Sequence, residues 1–208
     1  MTRAVRLTDV IAAITALAWV AAFVTGQSES VTLWAGFIPA RMTGAYHLLH
    51  AVPPWLTPLS ATLVHGGFMH LLLNTVMLIF CGRQVEHVLG VLPLAVLYLA
   101  GAYAAAGAQF LANPASDIPM IGASGAISAL VGTYALLFSK QAVPKIGSVP
   151  PYLIRALWLG LVWIGVQWAI GATFALDGSP IAVAAHIGGF VLGLVLARPL
   201  LSWAYRHA

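Results

Sequence analysis

The feature that most constrains this chain is the recurrence of apolar runs about 20 residues long, the length a helix needs to cross the hydrocarbon core of a bilayer. Six such runs are read, Leu7 to Val24, His65 to Cys81, Val91 to Ala112, Ala123 to Phe138, Ile154 to Leu176 and Ile181 to Leu196. Between them no stretch is long enough for a separate soluble domain. With 61% hydrophobic and only 7% charged residues, the chain has too little polar surface to face water. The expectation is a single domain over residues 1–208, an all-α integral membrane protein with six spans.

Charge then orients the spans. Arg3 and Arg6 precede the first run, Arg83 follows the second, Lys140, Lys145 and Arg155 lie between the fourth and fifth, and Arg198 and Arg206 follow the last. Only Arg41 falls on the opposite side, with Glu29, Asp117 and Asp177. The positive-inside rule therefore places both termini in the cytoplasm and makes the span count even. The net charge of +4 is scattered singly, without a basic run or interleaved aromatics, so nucleic acid is not an expected partner. The first run, with two arginines ahead of it, reads as a retained span. Its removal as a signal peptide would leave an odd span count. Cys81, the only cysteine, has no partner for an internal disulfide and reads as a packing residue.

The connection Gly26 to Val64 is long and carries Trp34, Tyr46, His47, His50 and Trp55 before the second span, with Pro53-Pro54 near its end. It reads as interfacial helices and turns on the outer leaflet. The short inner connection Gly82 to His87 reads first as a charged turn, and Trp158, Trp163 and Trp168 on the fifth span as lipid-facing or boundary aromatics.

Three clusters carry chemistry. The stretch Gly122-Ala123-Ser124-Gly125 opens the fourth span with one serine among residues almost without side chains. A serine in a first helical turn is surrounded by free N–H groups and the positive end of the helix dipole, which suits oxyanion stabilisation, although Gly, Ala and Ser also recur in close-packed membrane helices. On the second span His70 and Asn74 lie four residues apart and share a face, whereas His65 falls off that stripe and reads as structural. The His65 to His70 spacing does not suit zinc, and no metal or cofactor is expected. On the sixth span His186, Gly189 and Gly193, spaced i, i+3, i+7, line one face whose glycines let the small-residue face of the fourth span approach. Ser124 and His186 thus sit at similar depth near the outer surface. No carboxylate lies in the fourth or sixth span, so the two would form a dyad, not a triad.

These residues resemble the rhomboid intramembrane serine proteases of the basic six-span bacterial form. His65, His70 and Asn74 match an H-x4-H-x3-N arrangement, Gly122 to Gly125 the nucleophile segment, and Ala185-His186-x-Gly188-Gly189-x3-Gly193 the last span. The resemblance implies a six-helix bundle with a long, partly embedded first external loop, Ser124 as nucleophile and His186 as base. It implies oxyanion stabilisation by His70, Asn74 and the Ser124 backbone, and a structural role for Glu86. The implied activity is endopeptidase cleavage of membrane-anchored proteins near the outer face of the cytoplasmic membrane, with the lipid bilayer as surroundings. Two departures stand out. Leu56 follows Trp55 where many relatives carry a Trp-Arg pair, and Ser128 stands where many carry an aromatic stacked on the histidine. A non-catalytic relative that binds or escorts membrane clients is the competing expectation, disfavoured because both serine and histidine are kept. A small-solute transporter is a third, for which no internal repeat is found.

Overall fold

A computed structural model of the chain describes residues 5–138, 147–176 and 182–206, with the side chains of 170–176 set aside. Arg3, Lys140, Lys145, Asp177 and the expected start of the sixth span at Ile181 lie outside the described residues. Helices are the only regular elements among the described residues, apart from one isolated backbone pairing between Phe37 and Met120. Six principal helices build it: α1 Leu7–Val24, α2 Phe68–Leu89, α3 Val91–Ala112, α4 Ser124–Phe138, α5 Pro151–Leu176 and α6 Val183–Ala204. Five are long and apolar enough to cross a membrane, and α4, at 15 residues, is apolar but shorter.

The small-residue composition of α4 puts it at the centre. Residues on all its faces are buried, among them Ala126, Ile127, Ala129, Leu130 and Thr133, packed against Leu94, Leu97 and Ala102 of α3 and Leu78 and Val85 of α2. Close approach replaces bulk at the α4–α6 crossing. A Cβ on Gly193 would lie 2.1 Å from the Ala129 carbonyl oxygen, and one on Gly132 would lie 2.3 Å from that of Phe190. Backbone contact of this kind is how helices associate in lipid, where apolar side chains gain little by leaving the hydrocarbon. Thr133 Oγ1 adds a hydrogen bond to the Gly193 carbonyl at 2.9 Å. By contrast α5 lies at the edge and turns Leu157, Leu161 and Trp168 outward.

Four helix limits expected within the described residues, on three helices, differ from the sequence reading by more than a residue. Helix α2 starts at Phe68, leaving His65 in the preceding turn, and runs on to Leu89, so the stretch Gly82 to His87 is helix and not a turn. The break comes at Gly90, whose φ of +82° is a conformation that favours glycine. Helix α5 starts at Pro151, whose missing N–H costs nothing in a first helical turn. Helix α6 continues past Pro199 to Ala204 because its end still packs: Leu200 is buried, and the Arg198 guanidinium lies 3.9 Å from the centre of the Tyr152 ring on α5.

The extension of α2 carries Glu86 to the start of α1. Its carboxylate accepts the Leu7 N–H at 2.8 Å, the Thr8 N–H at 2.9 Å and the Thr8 hydroxyl at 2.5 Å. These backbone donors belong to the first turn of α1, where they lack helical acceptors and Arg6 supplies no capping side chain. An anion there also complements the helix dipole. Beside it Arg83 pairs with Asp9 at 2.7 Å. Cys81 is buried against the same core.

The long first connection forms short helices, Ser28–Ala35 and Pro39–Met42 among them, and folds over the segment that leads into α4. Phe37 and Met120 exchange backbone hydrogen bonds at 2.9 and 2.8 Å, Ala40 N–H donates to the Ser116 carbonyl, and Gly122 N–H donates to that of Ala61. Within the connection Arg41 is buried and donates to the Val52 carbonyl at 2.8 Å. Desolvation lowers its pKa from the ordinary arginine value. Trp55 is exposed, and its carbonyl accepts the Tyr103 hydroxyl at 3.1 Å. Arg41 therefore supplies a guanidinium anchor to this connection from a different position than the Trp-Arg pair that Trp55-Leu56 lacks.

Candidate active site

Helices α2, α4 and α6 enter the bundle from the same side because each is separated from the next by one antiparallel helix. Ser124 is the first residue of α4, His70 the third of α2 and His186 the fourth of α6. At a rise of about 1.5 Å per residue, their places along these helices differ by no more than about 5 Å. The three side chains thus gather at one end of the bundle.

There His186 Nε2 lies 2.8 Å from Ser124 Oγ. The contact depends on Gly189, one turn beyond His186, where a Cβ would stand 2.1 Å from the Gly125 carbonyl oxygen. Gly189 and Gly193 therefore face α4 as the i, i+3, i+7 spacing requires. Gly125 differs: its missing side chain faces α3, where a Cβ would meet that of Ala105 at 2.5 Å. Gly188 likewise faces α3, against Ala108 and the Ala104 carbonyl.

Gly122 has a φ of +106°, and a Cβ there would lie 2.6 Å from His70 Nε2 and 3.7 Å from Ser124 Oγ. Glycine thus leaves room between the His70 ring and the serine hydroxyl, and no other residue fits both the backbone and the space. Asn74 is buried and its amide donates to the His70 carbonyl at 2.8 Å, while its Oδ1 has no partner among the described residues. His65 is buried beside the site. Its Nε2 accepts the Ala123 N–H at 3.5 Å, and its ring packs edge-on to that of His70 with centroids 4.9 Å apart.

Among the described residues no carboxylate orients the imidazole. His186 Nδ1 is buried without a partner among the described residues. Ser128, one turn below the serine, donates its hydroxyl to the Ser124 carbonyl at 2.8 Å and presents no ring to the histidine. One residue that the sequence reading left facing lipid is instead at the site's edge. Trp163 of α5 donates its indole N–H to the His186 carbonyl at 3.4 Å.

A serine hydroxyl, a histidine nitrogen within hydrogen-bond distance and a helix N-terminus are the parts that acyl transfer needs. Sequence comparisons supply the family. Residues 53–203 match the model of the Rhomboid domain. The chain belongs to the rhomboid family. Every site residue named above lies within the stretch matched by that model. Mouse Rhomboid-related protein 2 is 29% identical over 182 residues, covering 85% of this chain and 57% of the relative. Rhomboid protease GlpG of Yersinia pestis (strain Pestoides F) is 32% identical over 138 residues, covering 66% of this chain and 45% of the relative. GlpG of Yersinia pseudotuberculosis serotype I (strain IP32953) is 33% identical over the same length. The chain spans about half the length of the curated relatives it matches. It is thus a multi-pass integral membrane protein with a rhomboid helical bundle.

Proposed function

We propose that this rhomboid is an intramembrane serine endopeptidase in which Ser124 is the nucleophile and His186 the base. The observation that carries the reading is the 2.8 Å contact between Ser124 Oγ and His186 Nε2. Ser124 gives its proton to Nε2 as Oγ bonds to the scissile carbonyl carbon, forming a tetrahedral oxyanion. Collapse breaks the C–N bond, and the amine leaves with the proton returned by His186. Water, deprotonated by the same imidazole, then attacks the acyl ester and frees Ser124. The first-turn N–H groups of α4, the His70 ring and the Asn74 amide are the donors we assign to the oxyanion.

The substrates of this reading are membrane-anchored proteins cut near the outer face of the cytoplasmic membrane. The distribution of basic residues supports cytoplasmic termini, which puts the shared end of α2, α4 and α6 on the outer side. A substrate helix must unwind before its carbonyl can be attacked, which favours small and helix-breaking residues around the cut.

A fluorophosphonate probe tests the assignment. Wild type is modified at Ser124, Ser124→Ala is not, and His186→Ala is labelled far more slowly. Equal labelling of all three folded proteins would leave the enzyme reading without support and favour a client-binding relative.

A further inference from the structure

We infer that Trp163 is a positioning residue for His186, holding the backbone of the proposed base where, among the described residues, no carboxylate and no stacked ring holds its side chain. The inference rests on the reading of His186 as base.

Helix α6 begins at Val183 without a side-chain cap, and its first backbone bond around the histidine, His186 N–H to the Ala182 carbonyl, is long at 3.3 Å. The first turn of a helix is where fraying starts. A base in that turn, lacking an orienting partner at Nδ1, needs a fixed backbone if Nε2 is to stay 2.8 Å from the serine.

Two independent contacts supply one. The Trp163 indole N–H reaches the His186 carbonyl at 3.4 Å. The Trp163 ring also lies flat on Phe190, with centroids 4.8 Å apart and planes 9° apart. Phe190 is one helical turn beyond His186 and is 2% exposed, so the tryptophan clasps both ends of the turn that carries the base. The three tryptophans of α5 behave differently from one another. Trp158 and Trp168 are 49% and 72% exposed, whereas Trp163 shares an inward face with Gly160 and the buried Gln167, spaced i, i+3, i+7. The Ser128 hydroxyl is occupied by the Ser124 carbonyl, so the clasp from α5 takes the place of an aromatic on α4.

The experiment compares fluorophosphonate labelling rate, kcat and KM on a single-span model substrate, and thermal melting. Trp163→Phe keeps a ring for Phe190 but removes the N–H. Phe190→Leu keeps the N–H but removes the ring beneath it. Trp163→Phe should slow labelling and kcat about fivefold with KM and melting temperature unchanged; Phe190→Leu should slow both about fivefold per folded molecule with KM unchanged and a lowered melting temperature, and Trp163→Leu about twentyfold. Trp158→Phe, on the lipid side of the same helix, should label at the wild-type rate. The small probe makes no demand on substrate docking, so slowed labelling reports the dyad itself. If Trp163→Phe and Phe190→Leu both label as wild type does, or if only KM changes, the inference is wrong while the enzyme reading stands. If slowed labelling appears only together with a lowered melting temperature, Trp163 is a stabilising residue and not a positioning one. Folded wild type that is not labelled at Ser124 would remove both.

Discussion

Replacing Gly189 by alanine tests whether helix apposition sets the dyad. The added Cβ would stand 2.1 Å from the Gly125 carbonyl oxygen and 3.2 Å from Ser128 Cβ, both on α4. Ordinary contact begins near 3.4 Å, so α6 must withdraw from α4 by about 1.3 Å at this turn. Neither obstacle is the far end of a flexible side chain. His186 is one turn away, and a comparable shift there would lengthen its 2.8 Å contact with Ser124 to about 4 Å, past the limit of a hydrogen bond. A misplacement of about 1 Å at reacting groups costs on the order of 100-fold in rate. Overpacking a crossing costs about 1–3 kcal/mol of stability, which lowers the melting temperature but leaves folded protein to measure. Gly189→Ala should therefore label with fluorophosphonate about 100-fold more slowly per folded molecule. Gly165→Ala and Gly107→Ala, where nothing lies within 4 Å of the new Cβ, should label as wild type does. Wild-type labelling by folded Gly189→Ala would refute the claim that the α4–α6 approach holds serine and histidine together.

Three further outcomes follow from the geometry. Glu86→Ala removes the acceptor of three hydrogen bonds at the start of α1, so it should lower stability by about 3 kcal/mol, seen as a drop in melting temperature, with labelling per folded molecule unchanged. Asn74→Ala should slow cleavage of a single-span substrate without unfolding the protein, and loss of the fold instead would mark the Asn74–His70 bond as purely structural. Only a neutral imidazole can accept the Ser124 proton, so kcat/KM should fall as acid protonates His186 and recover on neutralisation. Activity that persists in acid, where the imidazole of the folded protein is protonated, would argue against that base.

The contact between Ser124 and His186 was legible because glycine spacing is a one-dimensional signal. His186, Gly189 and Gly193 name a face, and the small residues after Gly122 name its counterpart. What depended on the path of another element was hidden. Glu86 reads from its neighbours as part of a charged turn, and the resemblance implies a structural role without naming its partners; these appear where α1 crosses α2, where a Cβ on Gly82 would meet Thr8 at 2.8 Å and the α1 donors reach the carboxylate. The polarity of residues 83–87 suggested a turn, but they are helix formers and the breaker is Gly90. Trp163 was grouped with Trp158 and Trp168 by their five-residue interval, which rotates successive residues by about 140° and so cannot put all three on one face. The better signal was Gly160, Trp163 and Gln167. Gly125 belongs to the small residues of the fourth span read together as facing the sixth, yet its open side faces α3, because a residue this small carries no mark of which neighbour it admits.

The first connection explains how irregular backbone can cover such a site. Residues 113–123 leave α3 and reach α4 without forming a helix, and most of residues 36–67 are non-helical or in single turns. Peptide groups left unpaired in an apolar environment cost several kcal/mol each, so such segments persist there only if they satisfy one another. They do so in pairs across the site: Phe37 with Met120, Ala40 with Ser116, and Ala61 with Gly122. The last of these bonds holds the residue whose left-handed backbone turns the chain into Ser124. The connection is thus more than a cover. It fixes the approach to α4, and with it the direction in which the serine hydroxyl leaves the helix towards His186. A substitution that frees the Ala61 carbonyl from Gly122 acts on Ser124 without touching it, through the angle at which α4 begins.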